Sequence, residues 1–132
     1  MEPSVELESA VLRLYDAMAA GDLGAIERLF SRREGVLAIG SDPAEWWAGH
    51  DAIVSAFAAQ LAETGTRRIV PGELRAFVEG AVGWAVDRRT KRLPNGKELT
   101  VRETTVFHRE DGEWKIVQFH ASLAVSNEEA FG

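Results

Sequence analysis

TVFHREDGEWKIVQFHAS, residues 105–122, is the stretch on which the fold turns. Apolar and polar residues alternate on both sides of Glu110-Asp111-Gly112. A period of two marks a half-buried strand, and Asp-Gly supplies the positive φ that a tight turn requires. The stretch reads as a β-hairpin. Working upstream, Pro94-Asn95-Gly96 marks a second hairpin turn. Strands are expected over roughly Ala81–Leu93, Glu98–Arg109 and Trp114–Val125, preceded by a shorter pair, Arg67–Val70 with Glu73–Glu79.

Before about Arg67 the period is helical. Ser4 can cap a helix whose first turn carries Glu6 and Glu8, and Val5, Leu7, Val11, Leu12, Leu14, Tyr15 and Met18 recur at three- and four-residue spacing. Gly21 ends that helix, and Asp22 caps a second with Leu23, Ile26, Leu29 and Phe30. Gly35–Ser41 is a short strand candidate, followed by a loop holding Trp46-Trp47. Asp51 is placed to cap a third helix, where Ile53, Phe57 and Leu61 share a face. Helices followed by hairpin-connected strands predict an α+β fold. With no internal repeat or linker, residues 1–132 are expected to form one domain.

Alternation assigns the faces of the sheet, given three-residue turns. One face carries Gly83, Ala85, Asp87 and Arg89, then Val101, Glu103, Thr105 and Phe107, then Val117, Phe119 and Ala121. The other carries Val82, Trp84, Val86 and Arg88, then Arg102, Thr104, Val106 and His108, then Trp114, Ile116, Gln118, His120 and Ser122. The small residues at 83, 85 and 121 leave room for a cavity on the first face. A two-residue Asp111-Gly112 turn would instead carry Gln118 and His120 to the cavity side. Neither face is wholly polar, so helices should cover one and a second copy of the chain the other, through the face bearing Trp84 and Gln118.

Composition excludes several classes. A net charge of −6 argues against a nucleic-acid partner, and Arg88-Arg89-Thr90-Lys91-Arg92 lacks the aromatic interleaving of a binding patch, reading as a solvated strand end. Cysteine is absent, which removes disulfides and thiolate chemistry. The start of the chain has no signal-peptide pattern, and no apolar run approaches the ~20 residues of a membrane span, so no membrane partner and a cytoplasmic location are expected. His50, His108 and His120 show no ligand spacing, so neither a metal nor any other cofactor is expected.

Gly80-Ala81-Val82-Gly83-Trp84-Ala85 together with residues 105–122 resembles the SnoaL-like family of the nuclear transport factor two-like superfamily. Gly21-Asp22-Leu23-Gly24-Ala25-Ile26 and Gly49-His50-Asp51-Ala52-Ile53 are similar to the helix-joining and third-helix motifs of that superfamily. The closing hairpin is similar to the association domain of calcium/calmodulin-dependent kinases. The resemblance implies a cone: a curved antiparallel sheet with three helices from the N-terminal half closing over a pocket. It implies little about activity, because one scaffold hosts isomerases, cyclases, dehydratases, hydrolases and binding domains. The ketosteroid isomerases of the superfamily carry a helix-one tyrosine, a second oxyanion-stabilising aspartate and an aspartate base. Alignment on Gly21-Asp22 sets Leu14, not Tyr15, at the tyrosine position, Ala38 or Asp42 near the base, and Thr104 or Thr105 at the second aspartate. Asp87, Thr105 and Ala121 fall where the kinase domain carries arginines, which implies a pocket favouring a cation or a polar neutral ligand.

Asp87 and Glu103 are the acid–base candidates. Opposed on neighbouring strands, they form a pair that resists simultaneous ionisation and can serve as general acid and base; equally, one can form a structural ion pair with Arg89 or another arginine. Trp47, Ile53, Phe57, Leu61, Thr105, Phe119 and His120 are the ligand-binding candidates, although His120 also suits a dimer interface. Two functions follow: a small-molecule-binding or oligomerisation module, or an enzyme performing proton transfer, dehydration or cyclisation on a small apolar, oxygenated substrate. The binding module is the leading expectation, because the recognised catalytic positions are missing.

Overall fold

The computed structural model describes residues 1–132. Ser4 opens the first helix, α1 (Val5–Ala20), accepting the Leu7 N–H at 3.1 Å, and Gly21 closes it in the left-handed conformation at φ 68°. Asp22 then caps α2 (Leu23–Leu29) by accepting the Ala25 N–H at 3.0 Å. The third helix, α3 (His50–Thr64), starts two residues earlier than the sequence suggested, with Gly49 rather than Asp51 at its cap. What fixes its start is His50, whose Nε2 lies 2.8 Å from the Glu27 carbonyl and ties α3 to α2.

The strands β1 (Glu2–Pro3), β2 (Leu37–Ile39), β3 (Trp46–Ala48), β4 (Arg75–Glu79), β5 (Val82–Arg92), β6 (Glu98–Glu110) and β7 (Glu113–Leu123) form one curved sheet in the order β1-β4-β5-β6-β7-β2-β3. Its pairs are antiparallel except β2 with β7, which run parallel. Three expectations are corrected at the margins. Trp46-Trp47 lies in strand β3, paired with β2, rather than in a loop. Residues 67–70 join no ladder, so β4 is only the second half of the expected pair. A short C-terminal helix, α4 (Asn127–Phe131), was not foreseen; Ser126 caps it at 3.1 Å to Glu129.

The closing hairpin settles the faces by two compensating features. Glu110 pairs with Glu113, so the turn is the two-residue Asp111-Gly112, with φ 51° and 80°. Such a turn alone would reverse every side chain of β7. Between Val106 and Phe107 the register then shifts, with Phe107 opposite Ile116 and Val106 opposite Gln118, so Val117 is an extra, bulged residue. Beyond the bulge the faces are restored: Thr105 faces Phe119, and Glu103 faces Ala121, on the cone side. Between turn and bulge they are reversed. Trp114 and Ile116 are core residues, not part of the outer face, and Val117 is not.

The core fills the space between α1–α3 and this inner face. Leu7, Val11, Leu14 and Tyr15 supply the α1 stripe, whereas Val5 and Leu12 are exposed. Gly83 leaves no cavity, because Leu7 occupies its space and a side chain there would collide with the leucine. Phe57 of α3 stands between Phe30 and Phe119, at ring distances of 5.8 and 6.4 Å, and so joins helices to sheet.

At the turn end, buried Glu110 accepts the Ser31 hydroxyl at 2.7 Å, with His108 at 3.3 Å and Arg33 at 3.7 Å. Burial alone would raise its pKa, but the hydrogen bonds from Ser31 and His108 and the charge of Arg33 outweigh it and hold the carboxyl below the ordinary range. A lowered folded-state pKa stabilises the fold above the unfolded value and is lost as pH falls through the folded value. Glu110→Gln is therefore expected to destabilise the protein at pH 7 by about 1–2 kcal/mol, with the difference shrinking as pH falls through the lowered carboxyl pKa. Urea unfolding across an acid pH series measures this; a gap that does not shrink as the protein is acidified contradicts it.

Candidate functional site

Ladder alternation along β5 aims Asp87, Arg89 and Lys91 toward the cone, and β6 sets Glu103 directly across from Asp87. Both carboxylates are almost sealed, at 1% and 4% exposure. Tyr15 of α1 reaches between them, its hydroxyl 2.7 Å from Asp87 Oδ2 and 2.7 Å from Glu103 Oε2. Arg89 closes the far side with a 2.5 Å bond to Glu103 Oε1, its guanidinium 5.5 Å from the Tyr15 ring centre. Asp87 Oδ1 accepts the Gly72 N–H at 3.1 Å. Only glycine fits at that position, because a side chain would strike the Arg88 carbonyl.

The Tyr15 hydroxyl thus lies within hydrogen-bond reach of both carboxylates at once, and Arg89 holds Glu103 from the other side. Burial, followed by the charge and hydrogen bond of Glu103 and then those of Asp87, raises the Tyr15 pKa far above the phenol range. Burial works against the Arg89 charge, yet Glu103 outweighs it and the guanidinium is held more firmly protonated than usual.

The open part of the cone lies in front of this cluster, as two lobes of about 100 and 110 Å³ that share Met18, Phe57, Gln60, Arg89 and Lys91. Leu61 and Arg67 border the first lobe; Trp47, Glu45, Phe119 and Ala121 border the second. Of the ligand-binding candidates, Trp47, Phe57, Leu61 and Phe119 thus reach the cavity. Ile53 and Thr105 are buried behind it and border neither lobe. His120 stands exposed on the outer face, opposite Thr104, because the bulge at Val117 carries it there.

Asp87 and Glu103 border neither lobe. The sheet wall, expected to favour a cation or a polar neutral ligand, is instead basic, since Arg89 screens the carboxylates and Lys91 extends the same face. The run 88–92 is accordingly not one solvated strand end: Arg88 pairs outside with Glu73 at 2.7 Å, while Arg89 and Lys91 line the cone. The Lys91 pKa lies below the usual amine value, chiefly through burial, then through the charges of Arg67 and Arg89; Glu45 opposes this. Tyr15 and Lys91 are site residues that sequence reasoning missed, as are Gln60, Arg67 and Glu45 around the lobes. The signal for Lys91 was present, because it continues the alternation 83, 85, 87, 89.

No group of three or more His, Asp or Glu side chains is arranged to hold a metal ion, and no helix is long and apolar enough to cross a membrane.

This cone of helices on a seven-stranded sheet with a pocket in front of a buried polar cluster matches known proteins. The SnoaL-like domain profile covers residues 7–126, and the chain belongs to that family. Nothing among curated proteins matches it. Among solved structures it is similar to an NTF2-like protein of unknown function from Pseudomonas putida, with TM-score 0.80, 16% identity, and coverage of 94% of this chain and 88% of that one. A candidate dehydratase of the NTF2-like family from Streptomyces avermitilis gives TM-score 0.77 at 18% identity, covering 92% and 95%. A candidate calcium/calmodulin-dependent protein kinase type II association domain from Thiobacillus denitrificans gives 0.78 at 19%, covering 95% and 98%. At such identities the likeness concerns the fold.

The cluster predicts an asymmetry between its two carboxylates. Asp87→Asn keeps an acceptor for Gly72 and a donor for Tyr15, and should cost less than about 1 kcal/mol. Glu103→Gln strips Arg89 of its counter-charge and should cost about 3 kcal/mol. Denaturant unfolding of both variants decides it; equal losses contradict the asymmetry.

Proposed function

We propose that the chain is a small-molecule-binding module whose cone accepts a small ligand with an anionic group and an apolar body. The observation that carries this reading is that Arg89 and Lys91 border both lobes while the two carboxylates border neither. A guanidinium with its planar fork of donors suits a carboxylate, and Glu103 holds it in place from behind. Trp47, Phe57, Leu61 and Phe119 supply apolar walls for the remainder of the ligand. Proton transfer by Asp87 and Glu103 is the weaker reading, because a general acid or base must reach the substrate directly or through one water. Phenylacetate should bind at least tenfold more tightly than phenylethylamine in calorimetry, and Lys91→Met should weaken it severalfold. A preference for the amine contradicts the reading.

Self-association belongs to the same proposal, as does a single domain working in the cytoplasm. Val82 and Val86 are 43% and 41% exposed on the outer face, beside Trp84 and Phe77, whose rings lie 6.3 Å apart. Gln118 and Thr104 sit on the same face with polar groups able to pair across it. Such an apolar strip on a two-sided sheet suits a second copy of the chain. Light scattering at micromolar concentration should report twice 14.5 kDa, and Trp84→Glu should return the mass to 14.5 kDa. A wild-type monomer rules the dimer out.

A further inference from the structure

Lys91 differs from the other two lysines of the chain. Lys115 donates to the Arg28 carbonyl at 2.6 Å and pairs with Glu113 at 3.3 Å, and Lys97 sits beside the β5–β6 turn. Lys91 has no ion pair, and it borders both lobes of the cone. Arg89 lies two residues away on the same face of β5, about 7 Å along the strand. A fixed cation and an amine therefore open, at adjacent inward positions, onto one cavity whose other walls are partly apolar.

We propose that Lys91 is a carbonyl-reactive amine, and that the cone takes an apolar α-oxo acid with its carboxylate on Arg89 and its keto carbon at Lys91 Nζ. The proposal rests on the anion-site reading above and names its ligand class. Two features of the acid fit two features of the site, since its carboxylate and keto carbons are directly bonded and each meets one of two neighbouring basic groups. The ammonium first gives one proton to water; the Lys91 lone pair then forms the N–C bond as the C=O π bond breaks, and a proton passes from nitrogen to the oxygen, giving a neutral carbinolamine. The proton held by water returns to the hydroxyl, which leaves as water as the C–O bond breaks and the nitrogen lone pair completes C=N, leaving a protonated imine. One ammonium and one ketone give one iminium and one water, with no oxidant or reductant required. The iminium keeps the positive charge that the ammonium had, so the surrounding Arg67, Arg89 and Glu45 meet the same net charge before and after. A free amine is needed to attack, and the burial and cationic neighbours that disfavour the ammonium form at Lys91 serve that need.

Phenylpyruvate with cyanoborohydride at neutral pH traps any imine as a stable secondary amine, located by peptide mass spectrometry. Labelling of Lys91 should run at least tenfold faster than labelling of Lys97, and phenylacetate should slow it at Lys91 alone. Lys91→Arg should abolish that adduct while Lys97 is still labelled at its former rate. Equal rates at Lys91 and Lys97 overturn the proposal, as does an unlabelled Lys91 in a protein that binds phenylpyruvate by calorimetry; the latter leaves the anion site standing. If phenylacetate does not bind and benzaldehyde, which has no carboxylate, still labels Lys91 selectively, the oxo-acid assignment falls together with the anion site.

Discussion

Two carboxylates placed face to face inside a protein repel each other and resist leaving water, and the fold is arranged around making that pair tolerable. Asp87 and Glu103 are held by the β5–β6 ladder, so neither can move away without breaking strand pairing. Three separate parts of the chain answer them: Tyr15 from α1, Arg89 from the same sheet, and the Gly72 N–H from the segment before β4. Each is a long-range contact, so the cluster ties the helical layer and the sheet to a loop that packs across β5. Removing a single member would leave a buried polar group without its partner, which is the costly case. The cluster thus holds α1 at a fixed depth above the sheet and determines how much of the cone stays open.

That depth explains why the pocket is small and basic. Tyr15 fills the narrow end, and Arg89 folds across the carboxylates with its ring-facing side on Tyr15. Whatever enters the cone meets the next layer out: Arg89 from below, Lys91 beside it, and the aromatic walls. The sign of the pocket is therefore opposite to that of the residues at its base, because an ion pair presents to the cavity the partner nearer the opening. The inward residues of β5 alternate small, acidic and basic in order along the strand, so polarity changes with depth.

Much of this architecture was legible in the sequence. Caps at Ser4, Gly21 and Asp22 and the turn residues at 94–96 and 111–112 have local causes, and the structure follows them. The Asp87–Glu103 pairing was legible because the Pro94-Asn95-Gly96 turn fixes the β5–β6 register. The bulge was not legible, since Val117 is an ordinary strand residue and nothing local marks it as extra. Two departures offset each other: a turn one residue shorter than assumed and a bulge one residue long. The parity beyond the bulge was thus right for a reason that had not been seen, while Trp114 and Ile116, between the two, fell on the wrong face. Tyr15 was legible as part of a buried stripe, but a helical stripe does not say how far a hydroxyl reaches into the sheet opposite.

The same physics separates what the scaffold can lend to chemistry from what it uses for itself. A carboxylate engaged by a phenol and a guanidinium has its lone pairs committed, and reaching substrate would require it to give up bonds that hold the fold. Arg89 keeps Glu103 on one side and borders the cavity on the other, and Lys91 has no ion pair, so these two basic groups can meet a ligand without giving up a bond that holds the fold. Function in this chain should therefore be sought one layer above its most polar cluster. The buried acids orient the guanidinium, and the guanidinium and the amine two residues further along β5 are the charged groups of the strand that border the cavity.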